Sequence, residues 1–170
     1  MAEFISGYAI QWNRPAIIGG LFEERFARGA FDKSLHENSD VVALWAHDAS
    51  RPLARVSNGT LELRPDNVGL WYSLTPNSES PLGQEAIATV GMGTVDEVSV
   101  GFSSLVEEWD DRGDIPARLI TEARLHEISL VLWGAYGKDT SASLSRANAD
   151  APRLRLVERA ERMQRTRGIR

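Results

Sequence analysis

The chain has no cysteine and three histidines, His36, His47 and His126, which narrows the chemistry its side chains can perform. Disulfides, thiolate nucleophiles and cysteine-based zinc or iron–sulfur centres are excluded by inventory. None of the histidines stands at the His/carboxylate spacing of an HExxH zinc hydrolase, so neither a metal nor another cofactor is expected. Covalent catalysis would have to use Ser, Thr, Lys or a carboxylate. A serine hydroxyl is a weak nucleophile at its own pKa and becomes useful when an imidazole within about 2.6–3.2 Å takes its proton. The imidazole in turn needs a partner that fixes its tautomer and stabilises the imidazolium, a role a carboxylate fills.

Strand alternation sorts the candidates for these roles, because successive side chains on a strand point to opposite faces. In Val95–Ser103, Val98, Val100 and Phe102 share one face, leaving Glu97, Ser99, Gly101 and Ser103 on the other. In His126–Leu132, the residues Ile128, Leu130 and Leu132 define a core face together with His126, and Glu127 and Ser129 lie opposite. His47 shares parity with Trp45 and opposes Val42 and Leu44. Ser99, His47 and Glu127 can therefore lie on the outer surface of one sheet, with Gly101 leaving room there for a substrate backbone. Each also has an ordinary explanation: a solvent-facing strand serine, a histidine at a strand end, a glutamate solvating a strand. Spacing alone does not discriminate.

The elements that must position these residues are mostly short strands. Phe4–Trp12 reads as a strand, punctuated by Asn13-Arg14-Pro15 and Gly19-Gly20. Phe26, Ala27, Ala30, Phe31 and Leu35 recur at helical spacing and predict a short amphipathic helix over Glu23–Leu35. Asp40–His47 is a strand that Ser50-Arg51-Pro52 ends. Leu53–Val56, Leu61–Arg64 and Gly69–Thr75 follow as an antiparallel meander, with turns at Asn58-Gly59 and Pro65-Asp66-Asn67. Pro81–Val90 has the composition of a helix start. Val95–Trp109 and Leu119–Trp133 are the longest strand candidates and predict a hairpin with an exposed, charged tip at Asp110–Pro116. Seven or so strands with two helices indicate a mostly β, α+β fold, a small closed antiparallel β-barrel flanked by helices.

At 170 residues and 42% hydrophobic content the chain can bury one sizeable core. We divide it into a barrel domain over residues 1–146 and a basic C-terminal tail over 147–170. From Ala151 onward seven Arg and two Glu give the tail +5, leaving −10 on the remainder of a chain whose net charge is −5. The acidic body disfavours nucleic acid as a partner despite the arginines. The plain expectation for the tail is a solvated terminus; the alternative is an arm that binds acidic segments of a partner. No stretch approaches the roughly 18 apolar residues of a membrane span, so a soluble protein is expected. A hollow ligand-binding barrel is disfavoured by the bulky inward residues.

Ordered blocks then carry a resemblance. SGYAIQWN followed by FEERFARGAFDKSL looks like the opening strand and helix of the prohead (procapsid) maturation serine proteases of tailed phages, which are distantly similar to herpesvirus assemblins. DVVALWAHDASRPLARV resembles the block holding that family's histidine, LELRPDNVGLWYSLTPN its meander, VDEVSVGFSS its nucleophile strand and LHEISLVLWGA its acidic block. The resemblance runs from about Phe4 to Leu144. It implies a barrel of assemblin type and a serine endopeptidase with Ser99 as nucleophile, His47 as base and Glu127 as third member. Assemblins use a second histidine, so His126 is the alternative to Glu127; strand parity favours Glu127. The resemblance further implies cleavage of scaffold or major capsid protein extensions inside the prohead in the host cytoplasm; cleavage of the chain itself, through its tail, and the tail as an arm for acidic scaffold segments are the secondary readings it adds. Self-association is a possible further property. After the acidic block, LWGAYGKDTSA departs from the family's Pro-Ala-Asn-Pro-like continuation, and backbone amides around Gly134–Gly137 are the expected oxyanion donors. A non-catalytic capsid-assembly module with the same fold is the competing reading.

Overall fold

The computed structural model describes residues 3–37 and 40–146; the basic tail inferred for 147–170 lies outside the described residues. Strands dominate, in two sheets. The first is antiparallel and contains β1 (Glu3–Gln11), β6 (Leu61–Pro65), β7 (Gly69–Leu74) and β10 (Ser143–Arg146), in the order β10-β1-β7-β6. A register shift between Tyr8 and Ile10 marks a bulge in β1, which turns both Ala9 and Ile10 into the core although they are sequence neighbours.

The second sheet has six strands. β9 (Ala117–Val131) is its spine, and β8 (Glu97–Asp110) pairs antiparallel with it from Glu97↔Val131 to Asp110↔Ala117. The other edge of β9 is shared by two parallel neighbours. β3 (Phe22–Phe26) pairs with its first residues and β4 (Val42–Trp45) with its last. Outside these lie β2 (Ala16–Ile18) and β5 (Asp48–Arg55). Among the described residues neither sheet closes on itself, so the strand content is as expected while the closed barrel is not confirmed, and the two sheets pack over one core. Phe26 lies at the centre of that core, with ring centroids 5.0 Å from Phe31 and 4.9 Å from Phe102.

Two helices are present among the described residues. α2 (Pro81–Gly91) forms where Pro81 supplies a preset φ in the first turn and the Ser80 hydroxyl accepts the Gly83 N–H. α1 (Asp32–His36) is far shorter than the helix expected over Glu23–Leu35. The first part of that stretch is β3 because Glu24 and Phe26, two apart, are both buried against β9. There the Glu24 carboxylate is bonded by Arg118 and by the Tyr136 hydroxyl. A buried, fully partnered carboxylate outweighs a helical spacing of apolar residues.

The meander is also redrawn. Ser50-Arg51-Pro52 does not end a strand; it lies within β5, an edge strand where proline costs no ladder bond. Asn58-Gly59 carries the chain from β5 in one sheet to β6 in the other, so it is not a hairpin turn. The β6–β7 and β8–β9 hairpins form as expected.

Candidate active site

β4 ends in a two-residue loop. Trp45 and Asp48 are paired, and Ala46 and His47 between them have φ of 52° and 60°. Left-handed backbone at both central positions is the signature of a type I′ hairpin turn, which normally selects Asn-Gly. Two non-glycine residues there cost about 1–3 kcal/mol each. The cost is offset by bonds from both turn amides to the neighbouring strand: the Ala46 N–H to the Leu130 carbonyl and the His47 N–H to the Ser129 hydroxyl, each at 3.0 Å. His47 is thereby held over the C-terminal half of β9.

The side chains facing it come from that strand. Glu127 Oε1 lies 2.6 Å from His47 Nδ1, and Glu127 Oε2 accepts a 2.6 Å bond from the Ser129 hydroxyl. The carboxylate is largely covered, its side chain 14% exposed, whereas the imidazole is 46% exposed. A buried acid behind an accessible ring is the arrangement a general base requires. Glycine on the facing strand makes the room. Gly101 pairs directly with Glu127, and a Cβ there would sit 2.4 Å from Oε1 and 2.8 Å from Cγ. The space at Gly101 is therefore filled by the acid, not left open for substrate.

Ser99 is directly opposite Ser129 in the β8–β9 ladder. Opposed residues share a face with Cβ atoms about 4.5–5.5 Å apart, which puts Ser99 beside the hydroxyl that anchors both His47 and Glu127. The opposite face of β8 carries Val98, fully buried. Parity thus sorted Ser99 and Glu127 correctly. It missed Ser129 as a participant, although the signal was present: Ser129 is two residues from Glu127 and so on the same face.

Parity failed at His126. The register passes from Gly101↔Glu127 to Phe102↔Leu125, so His126 is the extra residue of a bulge. It is exposed, with Nε2 2.8 Å from the Ser103 hydroxyl, and Leu125 takes the buried place expected of it. Leu132, also assigned to the core face, lies just past β9 and is 46% exposed. His36 ends α1, exposed and outside this constellation.

The segment after β9 is wired to β8 by Glu97. Its buried carboxylate accepts the Gly134 N–H at 2.8 Å and lies 3.3 Å from Lys138 Nζ. The Gly137 N–H bonds to the Gly134 carbonyl. Two of the amides expected to serve an oxyanion are therefore engaged inside the protein. A hollow of about 550 Å³, bordered by Arg25, Trp109, Arg112 and Arg118, lies at the far end of β8 from Ser99 and takes no part in the site. No three His, Asp or Glu side chains among the described residues converge as a metal site would require.

A mostly β, α+β protein whose longest hairpin carries a serine on the face of a hydrogen-bonded histidine–glutamate pair has the components of a serine hydrolase. The profile of the caudovirus prohead serine proteases matches residues 1–153, and the chain belongs to that family. A search of curated proteins finds no match. The family is that of a capsid-maturation serine protease, associated with phage capsid proteins and fitting a location inside the prohead. No helix among the described residues is long and apolar enough to cross a membrane.

Proposed function

We propose that the chain is an endopeptidase in which Ser99 is the nucleophile, His47 the general base and Glu127 the residue that orients it, and that it cleaves scaffold or major capsid protein extensions, and itself, within the prohead. The observation that carries this reading is the 2.6 Å bond between His47 Nδ1 and Glu127 Oε1 on the sheet face that Ser99 shares. With its Nδ1–H donated to the carboxylate, the imidazole presents the Nε2 lone pair to solvent and substrate. The Ser99 proton passes to Nε2 as Oγ attacks the scissile carbonyl carbon. The imidazolium, stabilised by Glu127, then protonates the leaving amine, and the C–N bond breaks to leave an acyl-enzyme on Ser99. Water, deprotonated by the same nitrogen, hydrolyses the ester.

Co-expression with the cognate capsid protein, comparing wild type with Ser99→Ala by intact mass of both partners, tests the proposal. Truncation of the capsid protein or of the chain itself is expected with the wild type alone. Identical masses in the two cultures, with capsid maturation proceeding in both Ser99→Ala and His47→Ala, would leave the chain as a non-catalytic assembly module.

A further inference from the structure

We propose that Ser129 is a positioning residue of this site, its single buried hydroxyl setting both the rotamer of Glu127 and the backbone of His47. The proposal rests on the assignment of Ser99, His47 and Glu127 given above and concerns a residue outside that trio.

Ser129 is 1% exposed, near the C-terminal end of β9, where it pairs with Leu44 on one side and Ser99 on the other. A serine hydroxyl has one proton to donate and two lone pairs. Here the proton goes to Glu127 Oε2 at 2.6 Å, and one lone pair accepts the His47 N–H at 3.0 Å. Both oxygens of the carboxylate are thus bonded, Oε1 to the imidazole and Oε2 to the hydroxyl, so the group cannot rotate about its terminal bond without losing one of them. The same hydroxyl gives the strained Ala46-His47 turn an acceptor for the His47 amide, which would otherwise be a part-buried donor lacking a partner. The two ends of the histidine, its main chain and its ring, are consequently referred to one oxygen atom, the second through Glu127. Alanine at 129 would release both together. Glu127→Gln, by contrast, would alter the acid and leave the turn amide bonded.

Phosphonylation of the full chain by a fluorophosphonate probe, in which the serine oxygen bonds phosphorus and fluoride leaves, tests this without knowledge of the substrate. With Ser129→Ala, the maximal phosphonylation rate is expected to fall about tenfold to a hundredfold, as loss of a charge-assisted hydrogen bond implies, with the half-saturating probe concentration changed by less than about twofold. Ser129→Thr retains the hydroxyl and should restore most of the rate. The low-field proton resonance of His47 Nδ1–H, present in wild type and in Ser129→Thr, should broaden or disappear in Ser129→Ala. Ser129→Cys, similar in size but a weak donor, carries the test if the alanine variant does not fold: it should react more slowly than Ser129→Thr. A wild-type rate and an unchanged resonance in folded Ser129→Ala, or equal rates for the Thr and Cys variants, would overturn the proposal. Undiminished labelling of Ser99→Ala would instead remove the catalytic assignment on which it rests.

Discussion

Two histidines lie against serines of the β8–β9 hairpin, His126 from within it and His47 from the β4–β5 turn, and they differ in what stands behind the ring. His126 touches the Ser103 hydroxyl at 2.8 Å, the short approach that a nucleophile–base pair is usually recognised by. Yet His126 is an exposed bulge residue, and no carboxylate among the described residues bonds its ring. His47 is held by a bonded turn, and its Nδ1 is engaged by a mostly buried acid. Proximity of a hydroxyl to an imidazole is thus cheap on a strand surface. Fixing the ring's tautomer and orientation takes three elements: a constrained turn, a covered carboxylate and a glycine that leaves it space.

The largest effect should separate the two histidines outright. Ser99→Ala and His47→Ala are expected to lower the rate of capsid-precursor cleavage by about 10⁴-fold or more, while Ser103→Ala and His126→Ala stay within about threefold of wild type. Glu127→Gln should come next, at about 10³- to 10⁴-fold, since the amide can hold the ring in the wrong tautomer. If the His126 variant proved as damaging as the His47 variant, the roles of the two histidines would have to be exchanged.

A smaller effect is expected from Gly101→Ala. Its Cβ would meet the Glu127 carboxylate and Cγ, so the acid must swing away; a loss of about tenfold to a hundredfold in acylation rate should follow, with the fold retained by circular dichroism. Smaller still, Ala46→Gly relieves one left-handed non-glycine residue and should raise thermal stability by about 0.5–1 kcal/mol in a denaturation experiment, after the entropic cost of glycine. The least effect concerns Asp48, just after the turn. Its carboxyl is held below the usual range chiefly by the Ser50 hydroxyl and then by the Ser50 N–H. A depressed folded-state pKa means the contact supports the hairpin above the ordinary aspartate range and is lost as pH falls through the folded value, so an NMR titration should place the Asp48 inflection below about 3.9.

How far the geometry of the candidate site could be read in advance varied with how local its cause is. Ser99 and Glu127 were legible because alternation along a regular strand depends only on the strand itself, and His47 because its block resembles the family's histidine block. The bulge at His126 was not, since a register slip is a property of two strands and reverses parity on one side of it. Nor was the turn at Ala46-His47: its residues are unsuited to left-handed backbone and adopt it because Leu130 and Ser129 bond their amides. β3 escaped for the same reason, its Glu24 being stabilised by Arg118 and Tyr136 from distant parts of the chain.

By itself the sequence determined the inventory and much of the patterning: no thiol chemistry, one core, a long polar-tipped hairpin, and a serine and a glutamate that share the face turned away from that core. The tertiary structure decided which histidine the glutamate engages, which serine holds them and how the strands divide between two sheets. These depend on hydrogen bonds between residues about eighty positions apart, and such pairings exist only once the chain has folded.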